Sequence, residues 1–249
     1  YTGSFFEVGL HTPAEISKKI IRKFIEYAKE AGAIVHEQYA ISVGGLWFVP
    51  VETDKEHLEY LAKFTLVRLI RPVSFLRDII PMRRGTSMGI KCELPVLPPL
   101  STEPRVAILD GGLPVEHSAK PWVKRSIHGD QDAEDCPDSN CHGLAVTSAF
   151  LFGSIEPKKV ASQPYSYVDH IRILDQKTQQ DDPFELYRTL GLIEDVLVSN
   201  AYQFLNLSLG PALCISDDEV HPWTALIDEK LQDGNILLTV AAGNNGELD

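Results

Sequence analysis

Short apolar runs and helical patterns alternate along residues 105–249. Four apolar runs have the length of strands and are bounded by turn residues, which predicts strands buried in a sheet. They cover residues 105–109, 167–174, 202–209 and 235–242. Patterns with helical spacing lie between them, at residues 143–152, 182–199 and 217–233. Strands that alternate with helices predict an α/β fold in which helices cover both faces of a parallel sheet.

The first 80 residues have a different pattern. Strand-like runs cover residues 4–10, 33–42, 45–51 and 66–73. Two capping boxes, which open at Thr12 and Thr53, predict the starts of two helices. Apolar residues at 3–4 spacing mark the inner face of the first helix: Ile16, Ile20 and Phe24. The order β-α-β-β-α-β predicts a small ferredoxin-like α+β domain.

A proline-rich stretch separates these two patterns. Residues 81–104 contain five prolines and two glycines and show no helical period, which is typical of a linker. The sequence therefore predicts three parts. Residues 1–80 form the small domain, residues 81–104 the linker and residues 105–249 the α/β part.

Composition and charge restrict the function. The chain is 44% hydrophobic and 23% charged, as expected for a globular protein, and it has no apolar run long enough to span a bilayer and no signal peptide. Residues 101–249 hold 10 Lys and Arg against 24 Asp and Glu, which argues against a nucleic-acid partner. Four cysteines without metal-binding spacing predict reduced thiols and a cytoplasmic location.

Two residues of the α/β part carry candidate acid–base chemistry. Asp110 follows the strand of residues 105–109 and precedes two glycines. A carboxylate at this end of a strand can orient a base, bind a ribose, ligate Mg²⁺, accept a phosphoryl group or only start a turn. His142 precedes Gly143 and an uncharged helix, which fits a general base held by packing and also fits a structural, hydrogen-bonded His.

Two further strand ends offer groups for a bound peptide. Ser208, Leu209 and Gly210 end an extended run, whose edge can pair with a peptide backbone or can only turn the chain. Asn244 follows Gly243 at the end of the last run. Its side-chain amide can donate a hydrogen bond to an oxyanion, or it can serve only the turn.

The order of these motifs resembles that of the subtilisin-like serine proteases (subtilases). The motifs lie within residues 105–246 and read VAILDGG, CHGLAV, LNLSLG and TVAAGNNG. In that family the acid that orients the imidazole comes first, then the general base, the substrate-binding strand, the oxyanion Asn and the nucleophilic Ser. The resemblance implies a subtilisin-like three-layer domain with a parallel sheet, which hydrolyses peptide bonds.

Carried over residue by residue, the resemblance implies a role for each motif. It makes Asp110 the orienting acid, His142 the general base and Asn244 the oxyanion donor. The strand that pairs with substrate is then Ser208, Leu209 and Gly210. The strand of residues 167–174 leads to the opposite wall of the cleft, which implies that Asp175 and Gln176 line it.

The sequence also departs from the family. The nucleophilic Ser lies in a G-T-S-x-A-x-P motif, which the sequence does not contain, so we expect a fragment that is inactive alone and a Ser beyond Asp249. The position of a calcium-binding Asp in secreted subtilases is Ala119, so we expect no metal and no cofactor. The alternative is a catalytically inactive subtilase-fold module that binds peptides or a protein partner.

The first 80 residues stand where many subtilases carry a propeptide. The resemblance implies either an inhibitory propeptide or a permanently attached domain that binds a partner. The partners it suggests are a peptide or protein substrate, the missing C-terminal half and an AAA-type ATPase. Neither nucleic acid nor a membrane is expected among them.

Overall fold

A computed structural model describes residues 4–77, 92–156, 158–179, 182–212 and 219–241. The strands are β1 (Ser4–His11), β2 (Ile34–Val35), β3 (Ile41–Val43), β4 (Leu46–Thr53), β5 (Val67–Pro72), β6 (Ser101–Asp110), β7 (Val123–His128), β8 (Ser166–Arg172), β9 (Phe204–Leu207) and β10 (Leu237–Val240). The helices are α1 (Ser17–Glu30), α2 (Leu58–Ala62), α3 (Pro137–Phe152), α4 (Glu185–Val198) and α5 (Pro222–Leu231).

The chain divides into two compact units. The first comprises Tyr1–Phe75, Pro183–Leu190 and Pro211–Gln232. The second comprises Leu76–Asp182, Gly191–Gly210 and Asp233–Asp249. Helix α4 therefore begins in the first unit and ends in the second, and the first unit draws on more of the chain than residues 1–80.

An antiparallel sheet forms the centre of the first unit. Its strands are ordered β2-β4-β1-β5, and β3 also pairs with β4. Helix α1 buries Ile20, Phe24 and Ala28 against a core that includes Val8 and Trp47. The 3.6-residue period of α1 places these three side chains on one face, which explains why the sequence pattern located the helix.

The predicted helix starts in this unit are wrong. Helix α1 begins at Ser17, after a turn in which Ile16 is 51% exposed. The Thr12 hydroxyl donates a hydrogen bond to the carbonyl of Gly45 at 3.3 Å and therefore does not cap the helix. Thr53 likewise belongs to β4, and a 3-10 turn at Lys55–His57 precedes α2.

The predicted strand of residues 33–42 is also broken. Strand β2 covers only Ile34–Val35, a 3-10 turn follows at Glu37–Tyr39, and β3 then covers Ile41–Val43. Polar residues within this run, Glu37 and Gln38, interrupt the alternation of apolar positions that a continuous strand needs.

Five parallel strands form the sheet of the second unit. Their order is β10-β9-β6-β8-β7, so that β6 lies in the middle with β9 on one side and β8 on the other. Ala107, Ile108 and Leu109 of β6 are fully buried, as expected for a central strand of a parallel sheet. The structure thus has the mixed α/β architecture with a parallel sheet that the alternating pattern predicted.

This topology determines where a site can form. The chain passes from β6 to β7 and β8 on one side, then crosses to β9 and β10 on the other. A crevice forms at the carboxyl ends of the strands where the direction of winding reverses, and ligands of open α/β sheets bind there. Asp110 is the last residue of β6 and lies at this point. None of the helices in the described ranges is long and apolar enough to cross a membrane.

Candidate active site

A buried carboxylate and a histidine meet at the carboxyl end of β6. The Oδ1 atom of Asp110 lies 2.7 Å from Nδ1 of His142 and also accepts the backbone N–H of Gly111 at 2.7 Å. The Asp110 side chain is 0% exposed and that of His142 is 18% exposed. A carboxylate can only accept hydrogen bonds, so Nδ1 of the neutral ring donates and Nε2 is its proton acceptor.

Glycines bring the helix to the strand end closely enough for this contact. A Cβ atom on Gly111 would lie 2.3 Å from the carbonyl oxygen of Ser139 in α3. A Cβ atom on Gly143 would lie 2.1 Å from the carbonyl oxygen of Gly112. Gly112 also has a φ angle of +92°, which favours glycine. The Gly-Gly turn and Gly143 therefore set the distance between α3 and β6, and with it the approach of His142 to Asp110.

Helix α3 begins six residues before the predicted start at Gly143. Pro137 is its first residue and Cys136 its N-cap, so His142 lies in the second turn and not at the helix terminus. Proline fits the first turn of a helix because it lacks the N–H that has no partner there. Pro137 is therefore the residue that indicates the helix start, which the pattern of apolar residues does not show.

A second histidine, which the sequence reasoning missed, supports the same turn. His170 in β8 is fully buried, and its Nε2 accepts the N–H of Gly112 at 3.0 Å. Its Nδ1 lies 2.9 Å from the hydroxyl of Thr147 in α3 and donates to it, because Nε2 is already an acceptor. Burial lowers the pKa of His170 to about 4, so the ring is neutral at neutral pH.

A buried arginine holds the acidic loop of residues 129–136, which precedes α3. Arg172, at the end of β8, pairs with Asp135 and donates to the carbonyl oxygens of Asp130 at 2.8 Å and Ala133 at 2.6 Å. Arginine suits this position because its planar guanidinium presents several donors in a fixed geometry. The loop is thereby fastened to the strand beside Asp110, since Asp110 and Arg172 are partners in the β6–β8 register.

Asp175 and Gln176 lie just beyond this strand end. The carboxylate of Asp175 is buried and its Oδ1 accepts the N–H of Lys177 at 2.9 Å, which caps the 3-10 turn that starts at Gln176. The backbone N–H of Gln176 donates to the carbonyl of Glu134 at 3.0 Å. The Asp175 side chain thus supports a turn inside the protein, whereas Gln176 is exposed beside the acidic loop.

Ser208, Leu209 and Gly210 continue from β9 at the same edge. Leu207 pairs with Leu109 in the β6 register, so Ser208 follows at the level where β6 ends. The Ser208 hydroxyl accepts a hydrogen bond from the Asn206 amide at 2.9 Å, and Leu209 is buried. The carbonyl of Gly210 accepts the N–H of Arg77 at 2.9 Å, so that another extended segment of the chain already pairs there.

The remaining predicted residue, Asn244, lies outside the described residues. Within the described part, no group of three or more His, Cys, Asp or Glu side chains is placed to hold a metal ion. Cys92, Cys136 and Cys141 are free thiols, and Cys141, next to His142 in the sequence, is exposed. The structure thus brings Asp110 and His142 into contact, with the segment of residues 208–210 at the same sheet edge.

No protein-family model matches the chain, and no curated protein matches it either. A neutral imidazole that is oriented through Nδ1 by a buried carboxylate can accept a proton at Nε2 and return it, which is the role of a general base and acid.

Proposed function

We propose that this chain carries the acid and the base of a serine endopeptidase, with the nucleophilic Ser supplied from beyond residue 249. His142 takes the proton of that Ser as it attacks the scissile carbonyl, and returns the proton to the leaving amine. Asp110 holds the imidazole in the reactive tautomer and stabilises the imidazolium. Asn244 donates to the oxyanion, and the backbone groups of residues 208–210 other than the Gly210 carbonyl, which Arg77 already binds, pair with the peptide substrate.

One observation carries this proposal: the 2.7 Å contact between Nδ1 of His142 and a fully buried Asp110 at the end of the central strand. A buried carboxylate is costly unless it is paired. This pairing leaves Nε2 as the proton acceptor, which is what a general base requires.

The strand orders support the finer fold assignments that belong to the same proposal. In the first unit, the antiparallel order β5-β1-β4-β2 is the arrangement that β-α-β-β-α-β connections give, which favours a ferredoxin-like fold. In the second unit, the acid is the last residue of the central strand of a five-stranded parallel sheet and the base lies on the helix after β7, which favours a subtilisin-like domain.

The test uses the full-length natural protein that contains Asp110 and His142. A fluorophosphonate probe should label a Ser of the folded protein, and His142→Ala should lower the labelling rate by roughly 10³-fold or more. Asp110→Asn should lower it by roughly 10⁴-fold, because the amide favours the wrong tautomer. His128→Ala, which removes an exposed ring in the same unit, is the matched control and should label like the wild type.

The alternative makes a different prediction. A catalytically inactive module that binds peptides or a partner would show no labelling in a chain that is folded by circular dichroism. Labelling that survives unchanged in both His142→Ala and Asp110→Asn would also refute the proposed roles, since the reactive Ser would then be activated by other groups.

A further inference from the structure

A cavity lies at the end of the parallel sheet opposite to Asp110. It has a volume of about 140 Å³ and is formed by the amino ends of β6, β7 and β8 and by the segment before β9. Arg105, which lines it, is five residues before Asp110 on the same strand, a separation of about 16 Å along an extended backbone. The cavity is therefore separate from the candidate active site.

Basic side chains gather at this cavity in a part of the chain that is strongly acidic. Residues 101–249 contain only 10 Lys and Arg, and three of them line the cavity: Arg105, Lys124 and Arg125. Arg125 is paired with Asp169, at 3.0 Å from Nε and 2.5 Å from Nη2. The side chains of Arg105 and Lys124 have no ionic partner among the described residues. The cavity thus carries about two positive charges in excess.

Asp169 also lines this cavity, and one of its carboxylate oxygens is an unsatisfied acceptor. The residue is 5% exposed, and its Oδ2 accepts hydrogen bonds from Arg125 and from the hydroxyl of Tyr202 at 3.0 Å. Its Oδ1 is buried and accepts none from the residues that the structure describes. A buried acceptor without a donor costs about 1–3 kcal/mol, and such an atom calls for a ligand or a bound water as its partner.

Tyr202 adds no negative charge to that of Asp169 at this cavity. Burial and the carboxylate of Asp169 raise the pKa of Tyr202 to about 12, so the hydroxyl stays protonated and donates to Asp169. The excess positive charge of the cavity therefore persists at neutral pH.

We propose that this cavity binds a small phosphate monoester that also carries a hydroxyl group. The phosphate, which has a charge of about −1.5 to −2 at neutral pH, matches the two cations without partners, Arg105 and Lys124. A hydroxyl group of the ligand donates to Oδ1 of Asp169. A carboxylate ligand would neutralise only one of the two cations. This inference does not depend on protease activity.

Calorimetric titration of the 249-residue chain at fixed ionic strength tests it, with glycerol 3-phosphate and ethyl phosphate as the probes. Glycerol 3-phosphate should bind with one site per chain and more tightly than ethyl phosphate, which lacks the hydroxyl groups. The double variant Arg105→Gln/Lys124→Gln should weaken the binding at least about tenfold. The matched control is Arg22→Gln/Lys23→Gln, which removes the same two charges from the exposed side of α1 and should leave the affinity unchanged.

Three results would overturn the proposal. The first is the lack of saturable binding of glycerol 3-phosphate in the millimolar range. The second is equal affinity for the two probes, which would leave Asp169 without a role. The third is an equal loss of affinity in the two double variants, which would indicate non-specific attraction of anions. Circular dichroism of each variant verifies that the chain is folded, which is expected because all four substituted side chains are on the surface.

Discussion

The imidazole of His170 accepts the backbone N–H of Gly112 through Nε2 at 3.0 Å, while its Nδ1 donates to the Thr147 hydroxyl at 2.9 Å. One buried ring thus joins β8 to the turn after β6 and to helix α3. Asp110 precedes that turn and His142 lies on that helix, so the ring fixes both sides of the candidate catalytic pair. His170 itself is a positioning residue.

The buried His170 should make stability depend on pH. Its pKa is lowered from 6.5 to about 4 in the folded protein by burial, so below pH 6.5 the unfolded chain binds a proton that the folded chain does not. Stability is therefore lost as pH falls from about 6.5 to about 4, at about 1.4 kcal/mol per pH unit in the middle of this range. His170→Gln removes the titrating ring, so its free energy of unfolding should fall less between pH 7 and pH 5. Urea denaturation at pH 7, 6 and 5 measures this fall.

Thr147→Val is the control for this experiment. It removes the hydroxyl partner but keeps the imidazole, so it should lower stability by about 1–3 kcal/mol at pH 7 and keep the wild-type pH slope. A His170→Gln protein with the same slope as the wild type would show that His170 does not titrate in this range.

Alanine should have opposite effects at two helical glycines. Alanine favours a helix interior over glycine by about 1 kcal/mol, but a Cβ at Gly143 would lie 2.1 Å from the Gly112 carbonyl oxygen. Gly143→Ala must therefore push α3 away from the turn, and we expect a loss of about 2–3 kcal/mol. At Gly191 in α4 no atom lies within 4 Å of an added Cβ, so Gly191→Ala should gain about 0.5–1 kcal/mol.

Thermal and urea denaturation of these two variants measure both effects. The contact between His142 and Asp110 should weaken only in Gly143→Ala, which the low-field ¹H NMR signal of the His142 Nδ1 proton can report. A stabilised Gly143→Ala protein would mean that helix and turn are farther apart than the structure places them.

The sequence was sufficient for those parts of the fold that depend on the spacing of apolar residues. The stripe of Ile20 and Phe24 located α1, and the run at residues 105–109 located the centre of β6. Helix starts depend instead on single hydrogen bonds. The Thr12 hydroxyl reaches Gly45, 33 residues away, and no local pattern indicates such a partner.

The candidate site likewise combines residues that the sequence indicates with residues whose role depends on distant partners. Asp110 and His142 could be singled out because each directly precedes a glycine, Asp110 at the end of a strand and His142 before an uncharged helical pattern. His170 and Arg172 could not, because each stands within or at the end of a mainly apolar run and its importance comes from partners on other elements. Asp175 was singled out from the resemblance, but the turn that its carboxylate caps became visible only in the structure.

A tyrosine hydroxyl should contribute to the stability of the first unit. Tyr187 donates to Oε2 of the buried Glu7 at 2.5 Å, and Arg71 donates to the other oxygen of the same carboxylate. Tyr187→Phe should cost about 1–3 kcal/mol, because an ionised carboxylate loses a donor. Tyr39→Phe is the matched control, since Tyr39 stacks on Phe184 through its ring, and it should change stability by less than about 0.5 kcal/mol.

The loss of stability that Tyr187→Phe causes should be smaller at acidic pH. Burial raises the pKa of Glu7 above 4.5, and loss of the Tyr187 hydrogen bond raises it further. The folded variant then binds a proton more readily than the unfolded chain, so its stability increases relative to wild type as pH falls through the raised pKa towards 4.5. Urea denaturation of both proteins at pH 7.5 and 5 measures the difference. A cost that is larger at pH 5 would contradict the assignment of Tyr187 as a donor to ionised Glu7.

Arg172 should be needed for an ordered acidic loop. Methionine at this position keeps most of the length of the side chain but leaves the carbonyl oxygens of Asp130 and Ala133 and the carboxylate of Asp135 without their donor. We expect Arg172→Met to cost on the order of 3 kcal/mol and to open the loop to limited proteolysis. The matched control is Asp132→Asn, an exposed change in the same loop, which should alter neither quantity. Equal protection of the loop in both variants would show that the backbone alone holds it, and that Arg172 contributes to packing and not to the position of the loop beside Asp110.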